Sequence, residues 1–462
     1  MLQRDHNADC GIAADAGFQA QLDFAGAGAM SPPRPWEAID FKLQPAQYMQ
    51  AVLQSAITDN DPIQWQLGKH PVNGWVHAPW MAQDRDPFNG LTFERQSLKF
   101  ELHPNQTQGH TNYAVGIYNA IAARAFAKMW ADPADPSTVD FAMEPGAVAV
   151  KLLFSTAPDA EVPYLKGSIS VDVCDDHVQR KARLAQVDIA VRDTDANSLT
   201  GWLFGTFIYS SDTATTFSWS DVHPFTLQWG NDKDVWPTGL HIPPDAFPAT
   251  AAALPALSES WYDPFYRDRL WAWRVSKGVT PWTGLFGRSN GPIDNPVSSC
   301  LSCHNTAADF GHGSDELPFT RPAPAWVAEV LAGTAPRPEL KSYFETRGAD
   351  VPILQGTLAL DYSLQAMKGI LNFRAWAKCR GDNVQGDIAP YTGPKPKDLV
   401  AGSQECERFL QASGDVFADT LAPPPDDNSV MSSEAPPGDL MDDLVFGGRD
   451  TQLPMDQRSA RE

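Results

Sequence analysis

The sequence predicts an α+β fold: a strand-rich, antiparallel, sandwich-like body followed by an irregular and helical C-terminal part. Three observations predict it. Short β-branched and aromatic runs bounded by turn residues recur between 147 and 229. Residues 230–300 are rich in Trp, Pro and Gly and show no clear period. Beyond them apolar residues return at helical spacing, best over Tyr362 to Cys379, where Leu364, Met367, Leu371 and Trp376 fall near one face.

Taken in order, residues 1–40 read as a flexible leader ending near Ser31-Pro32-Pro33-Arg34-Pro35. Its Ala/Gly-rich run is interrupted by Asp15, Gln19, Gln21 and Asp23, so no signal peptide is visible in it. The body is expected over 41–230. Residues 43–56 have helical spacing, 62–100 are aromatic and irregular, and 112–130 read as an amphipathic helix stopped by Asp132-Pro133. Strands are expected at 147–154, 168–173, 185–192, 201–209 and 222–229. The clearest is 185–192, where Val187, Ile189 and Val191 alternate with Asp188, Ala190 and Arg192. The long irregular stretch that follows suits a segment wrapped around a cofactor. Short helices are expected at 325–331 and 340–345 within a region spanning 231–415. Residues 416–462 read as a disordered acidic tail; from 421 onward nine acids face three arginines.

The chain has 462 residues and a net charge of −22. That balance argues against nucleic acid or an anionic membrane as partner, since phosphate contact needs clustered Lys and Arg. It suits a soluble protein that meets a basic redox partner. No apolar stretch approaches the length of a transmembrane segment.

The chemistry concentrates at Cys300-Leu301-Ser302-Cys303-His304. This C-x-x-C-H run is the pattern that attaches haem c covalently. Two thiols add across the haem vinyl groups, and the adjoining histidine reaches the iron from the proximal side. One haem c, held by Cys300 and Cys303 and ligated by His304, is therefore expected where body and C-terminal part meet. Two other readings stay open. A zinc site wants four ligands, and only His312 lies near enough in sequence to help. A plain disulfide or a pair of free thiols is the remaining possibility. Arg288 and Asn295, just upstream, are read as contacts to the cofactor, with Arg288 suited to a haem propionate and turn capping an equal account of Asn295.

The sixth iron ligand separates electron carrier from catalyst or sensor. Met367 and His312 are the distal candidates, and His77 and His110 are weighed as structural histidines. One-electron transfer is the leading function; a haem-dependent peroxidase or oxygenase, or a haem-based sensor with an open sixth position, is the alternative. Cys379 with Cys406 and Cys10 with Cys174 are the pairings considered for the other four cysteines. Glu94 and Asp188 read as surface acids of strands or turns.

Several segments together resemble a family of large bacterial proteins with one C-terminal c-type haem motif. They are WVHAPW at 75–80, GLTFER at 90–95, AVGIYN at 114–119, GAVAVKLLF at 146–154, QVDIAVRD at 186–193, GWLFGTF at 201–207 and RSNGPIDNPVSSCLSCH at 288–304. The resemblance spans roughly 40–375. It implies a haem c protein exported to the periplasm or cell envelope, with Cys300 and Cys303 as attachment sites and His304 as proximal ligand.

Overall fold

Of the chain, the computed structural model describes Cys10, 24–58, Asn60, 74–77, Asp86, 88–132, 134–175, 178–211, 215–236, 256–277, 283–311, Pro322 and 324–380. The expected acidic tail and His312 lie outside the described residues.

The fold is α+β, and its frame is one nine-stranded antiparallel sheet. In chain order the strands are β1 (Val76–His77), β2 (Thr92–Ser97), β3 (His110–Tyr118), β4 (Val148–Ser155), β5 (Ser170–Asp175), β6 (Val178–Arg192), β7 (Trp202–Tyr209), β8 (Val222–Gln228) and β9 (Ser260–Tyr262). The main path runs β1-β3-β4-β6-β7-β8-β9, with β2 on β3 and β5 on the first half of β6. The sandwich-like aspect takes a different form from two stacked sheets. One sheet carries helix and irregular chain on both faces.

Alternation along the strands decides which residues go where. Val187, Ile189 and Val191 on β6 join Val148, Val150 and Leu152 on β4 in the larger core. That face is capped by α2 (Pro45–Ile57), which turns Tyr48, Met49, Val52, Leu53 and Ala56 inward at helical spacing. The Tyr48 hydroxyl also donates to Asp193 at 2.6 Å. The opposite face carries Gly116, Ala149, Lys151, Asp188, Ala190 and Phe204, and against it lies the second core, with α3 (Ala120–Met129) and α8 (Leu364–Arg380).

Three expectations change. The helix read over 112–130 is strand β3 followed by α3. Thr111, Tyr113, Val115 and Ile117 alternate with Asn112, Ala114 and Gly116, a period of two that suits a strand. The helix begins only at Asn119, whose side chain accepts from the Ala122 amide as an N-cap. Secondly, within the expected leader Phe24, Ala27, Gly28 and Trp36 are buried, while most other residues of 24–40 are exposed. Helix α1 (Phe24–Gly28) lays Phe24 5.7 Å from Phe126, and Trp36 is 1% exposed. Thirdly, the sheet does not stop at 230, since β9 extends it through Tyr262.

Beyond β9, Asp263 caps α4 (Pro264–Ser276) by accepting from the Phe265 and Tyr266 amides. Trp271 of α4 joins Val327 and Val330 of α6 (Pro324–Leu331) and Leu340 and Tyr343 of α7 (Pro338–Tyr343) in a separate small core. Between α4 and α6 lies the five-residue helix α5 (Cys300–His304). The strand pair β10 (Ala308–Asp309) and β11 (Leu358–Ala359) closes the chain around it. Cys10 and Cys174 form a disulfide with Cα atoms 6.0 Å apart. Cys379 is disulfide-bonded as well, and Cys406 lies outside the described residues.

Candidate functional site

The site is built on the sheet face that points away from α2. Two cross-strand rows form its floor. One runs Gly116–Lys151–Asp188–Thr206–Thr226–Tyr262, the other Tyr118–Ala149–Ala190–Phe204–Gln228–Ser260. The polar members of these rows hold down the segment that precedes the C-x-x-C-H run. Tyr262 donates to the Arg288 carbonyl at 2.6 Å, and Thr226 and Ser289 share a hydroxyl hydrogen bond of 2.7 Å. Gln228 accepts from the Leu301 amide at 2.9 Å. Gln186, fully buried on β6, accepts from the Ile293 amide and donates to both Asp188 (2.8 Å) and Asp294 (2.7 Å). Arg95 donates to the Ile293 carbonyl and Arg274 to that of Pro292. A non-repetitive loop is thus fixed by side chains where no ladder exists to do so.

Helix α5 starts at Ser299, whose hydroxyl accepts from the Ser302 amide. Leu301 turns into the second core, while Cys300, Cys303 and His304 turn to the open side. They line one pocket, partly open to solvent, with Phe204, Leu364 and the floor residues Gly116, Ala149, Lys151, Asp188 and Ala190. Half-buried positions in strands that are otherwise buried, among them Gly116, Ala149, Lys151, Asp188 and Ala190, trace its wall.

His304 is oriented on two sides. Its Nδ1 lies 2.9 Å from the Tyr362 carbonyl oxygen, and its ring centroid 4.6 Å from that of Phe204. A carbonyl can only accept, so Nδ1 carries the hydrogen and Nε2 keeps its lone pair. Burial lowers the imidazole pKa to about 4, which keeps the ring neutral. Cys300 and Cys303 are free of any disulfide. Burial pushes both thiols up, Cys303 to about 12, so both are held protonated in the chain alone. Among the described residues no group of three or more His, Cys, Asp and Glu is arranged to hold a metal ion.

Lys151, Asp188 and Asp294 bring charge to the pocket lining. Lys151 pairs with Glu94 at 2.9 Å. Burial works against the lysine charge, but Glu94, Asp294 and Asp188 outweigh it and raise its pKa. Asp188 is driven well above the usual carboxylate range by burial, helped by the neighbouring Asp294 charge. Glu94 and Asp188, read from sequence as surface acids, are therefore inside: Glu94 is buried and Asp188 lines the pocket.

The other expected site residues fall as follows. Asn295 lines the pocket and also caps a turn, its side chain accepting from the Val297 amide. Arg288 does not line it. Its guanidinium donates to the carbonyls of Asn231, Leu285, Asp232 and Val235 and stacks between the rings of Trp236 and Phe344, 4.9 and 4.5 Å away. In place of the expected propionate contact the guanidinium has a structural role, since the loop 231–235 turns the carbonyls of Asn231, Asp232 and Val235 toward it. Met367 is 1% exposed in the second core and is not among the lining residues. His77 is buried on β1, and His110 pairs with Glu161 at 2.9 Å.

Sequence reasoning missed Gln186, Lys151 and Gly116. Their signal was present as the polar or small side of alternating strands. Alternation alone does not tell a solvated face from one covered by irregular chain. No family model, no curated protein and no solved structure matches this chain.

Proposed function

We propose that the chain is a c-type cytochrome that carries one haem c on Cys300, Cys303 and His304 and serves one-electron transfer. The observation that carries this reading is the pairing of two free thiols with an imidazole whose Nδ1–H is already donated to a backbone carbonyl, all lining one pocket. Iron-ligating histidines use such a second hydrogen bond to fix tautomer and ring orientation. The donor set fits the group: Cys300 and Cys303 would tether it and His304 Nε2 would reach the iron. When bound, the haem supplies a centre that takes up and returns single electrons. The chain's part is to hold the imidazole neutral, to exclude bulk water with Phe204 and Leu364, and to place Lys151, Asp188 and Asp294 along one wall.

The acidic charge of −22 supports a basic protein as redox partner. The Cys10–Cys174 disulfide supports an oxidising compartment such as the periplasm or envelope. Among the described residues no helix is long and apolar enough to cross a membrane.

A second reading, a haem-dependent catalyst or sensor, has one observation of its own. Among the described residues lining the pocket there is no second histidine and no methionine. Co-expression with a haem c maturation system, followed by acid–acetone extraction, tests the primary assignment. Haem should stay with the wild-type chain and be absent from Cys300→Ala/Cys303→Ala. Carbon monoxide added to the reduced protein then separates the two functions, since a six-coordinate carrier keeps its spectrum and an open site shifts it.

A further inference from the structure

Part of the pocket floor is made of small residues set among larger ones. Gly116, Ala149 and Ala190 lie on β3, β4 and β6, on the face that looks toward α5. A Cβ built on Gly116 would meet no atom of the described residues within 4 Å. Other glycines near the site differ. A Cβ on Gly205 would press on Ile189 and Met49 at 3.0 and 3.1 Å, and one on Gly291 would strike the Gln186 side chain at 2.1 Å. Those two are glycine because their neighbours leave no room. Gly116 has room, and its backbone is not in the left-handed region. A glycine inside a strand weakens it, and is often found where a ligand approaches closely. Neither backbone geometry nor packing within the described chain therefore accounts for Gly116.

We infer that Gly116, flanked by Ala149 and Ala190, is a platform that keeps room for one surface of the tetrapyrrole tethered at Cys300 and Cys303, and that Gly116 sets the size limit of the pocket. The inference rests on the proposed haem c function and adds positioning residues to it. The tethers fix where the cofactor is bonded; the platform fixes the space into which its flat body can settle. Its logic gives opposite signs for two measurements. A larger residue at 116 enters empty space when no cofactor is present, and a β-branched one favours the strand. The same residue overfills the pocket when the cofactor must enter.

The test uses the full chain as Gly116→Phe, Gly116→Val and Gly116→Ala, co-expressed with haem c maturation, with covalent haem per chain read by intact mass and absorbance. Thermal transitions of the same three variants are recorded in the Cys300→Ala/Cys303→Ala background, which has no tether. The expected result is a fall of about tenfold in haem occupancy for Gly116→Phe, the order of effect of overfilling a formed cavity. Gly116→Val should be intermediate and Gly116→Ala near wild type, with no lowered transition in the tether-free background. Wild-type loading of Gly116→Phe overturns the platform and leaves the haem assignment standing. Loss of loading with an equally lowered transition in the tether-free background also overturns it, because the damage is then to the fold. A wild-type chain without covalent haem removes the functional reading, and the platform with it.

Discussion

His304 donates its Nδ1–H to the carbonyl oxygen of Tyr362 at 2.9 Å, across 58 residues of chain. This bond links the C-x-x-C-H helix to the start of α8 and makes the imidazole part of a fixed frame. Tyr362 itself has a positive φ of 63° and donates its hydroxyl to the Arg347 carbonyl at 2.9 Å. A non-glycine residue in that region is held by its surroundings. The carbonyl is thus aimed at His304 by the local fold.

Gln186 is the pin of the loop before the motif. Gln186→Ala removes the acceptor of the Ile293 amide and the donor shared by Asp188 and Asp294. Leaving such groups buried and unpaired costs about 1–3 kcal/mol. Urea unfolding should show this loss, and covalent haem loading should fall because the motif is no longer held against the sheet. An unfolding midpoint equal to wild type would show that the loop is anchored elsewhere.

Met367 lies in the second core, away from the pocket wall. Met367→Leu is a volume-conserving swap and should cost less than about 1.5 kcal/mol. The reduced absorption spectrum and its response to carbon monoxide should match wild type. A new carbon monoxide response in this variant would make Met367 the sixth ligand.

Asp309 of β10 is bound by Arg374 of α8, with Nη2 to Oδ2 at 2.8 Å, and by Thr138. Burial raises its pKa, but the Arg374 and Thr138 hydrogen bonds outweigh it and hold the carboxyl below the usual range. A depressed carboxylate contributes stability that is present above its unfolded pKa and lost as pH falls through the folded value. Stability should therefore drop in acid below about pH 4, and Arg374→Met should flatten that part of the profile. The same substitution at neutral pH leaves a buried charge unpaired and should cost about 3–5 kcal/mol. Chemical denaturation across pH checks both signs.

Non-reducing peptide mapping should recover Cys10 linked to Cys174, and Cys379 in a disulfide. The Cys379–Cys406 pairing expected from sequence gives a definite peptide mass. In chain produced without haem, Cys300 and Cys303 should take up alkyl label slowly at neutral pH and faster as the pH rises, because their desolvated setting keeps both thiols protonated. Fast labelling of the native chain at neutral pH would contradict the raised thiol pKa.

Much of the frame was legible from residue patterns. The five strands expected between 147 and 229 correspond to β4 through β8, because each alternates or carries a dense β-branched and aromatic run. The helices expected at 43–56, 325–331, 340–345 and 362–379 are present to within a few residues. Helix and strand were confused over 112–118 because Val115, Tyr118, Ala122 and Phe126 also fit helical spacing; the Asn119 cap is the residue that resolves it. Cys300, Cys303 and His304 could be singled out from sequence because their spacing is local, and the structure brings all three to one pocket. Gln186, Lys151 and Gly116 were not, since their role depends on which face of the sheet the loop 284–305 covers, and that is a tertiary fact. Arg288 was misplaced for the same reason: a basic residue beside the motif draws attention as an anion partner, while its real partners are carbonyls 53–57 residues upstream.

The central claim is a covalent haem on Cys300 and Cys303 with His304 as ligand. The most direct measurement is the intact mass of denatured, acid–acetone-extracted chain after expression with haem c maturation, wild type beside Cys300→Ala/Cys303→Ala. The account predicts a wild-type chain heavier by one haem and a variant at the bare polypeptide mass. A wild-type chain at the bare polypeptide mass would contradict it.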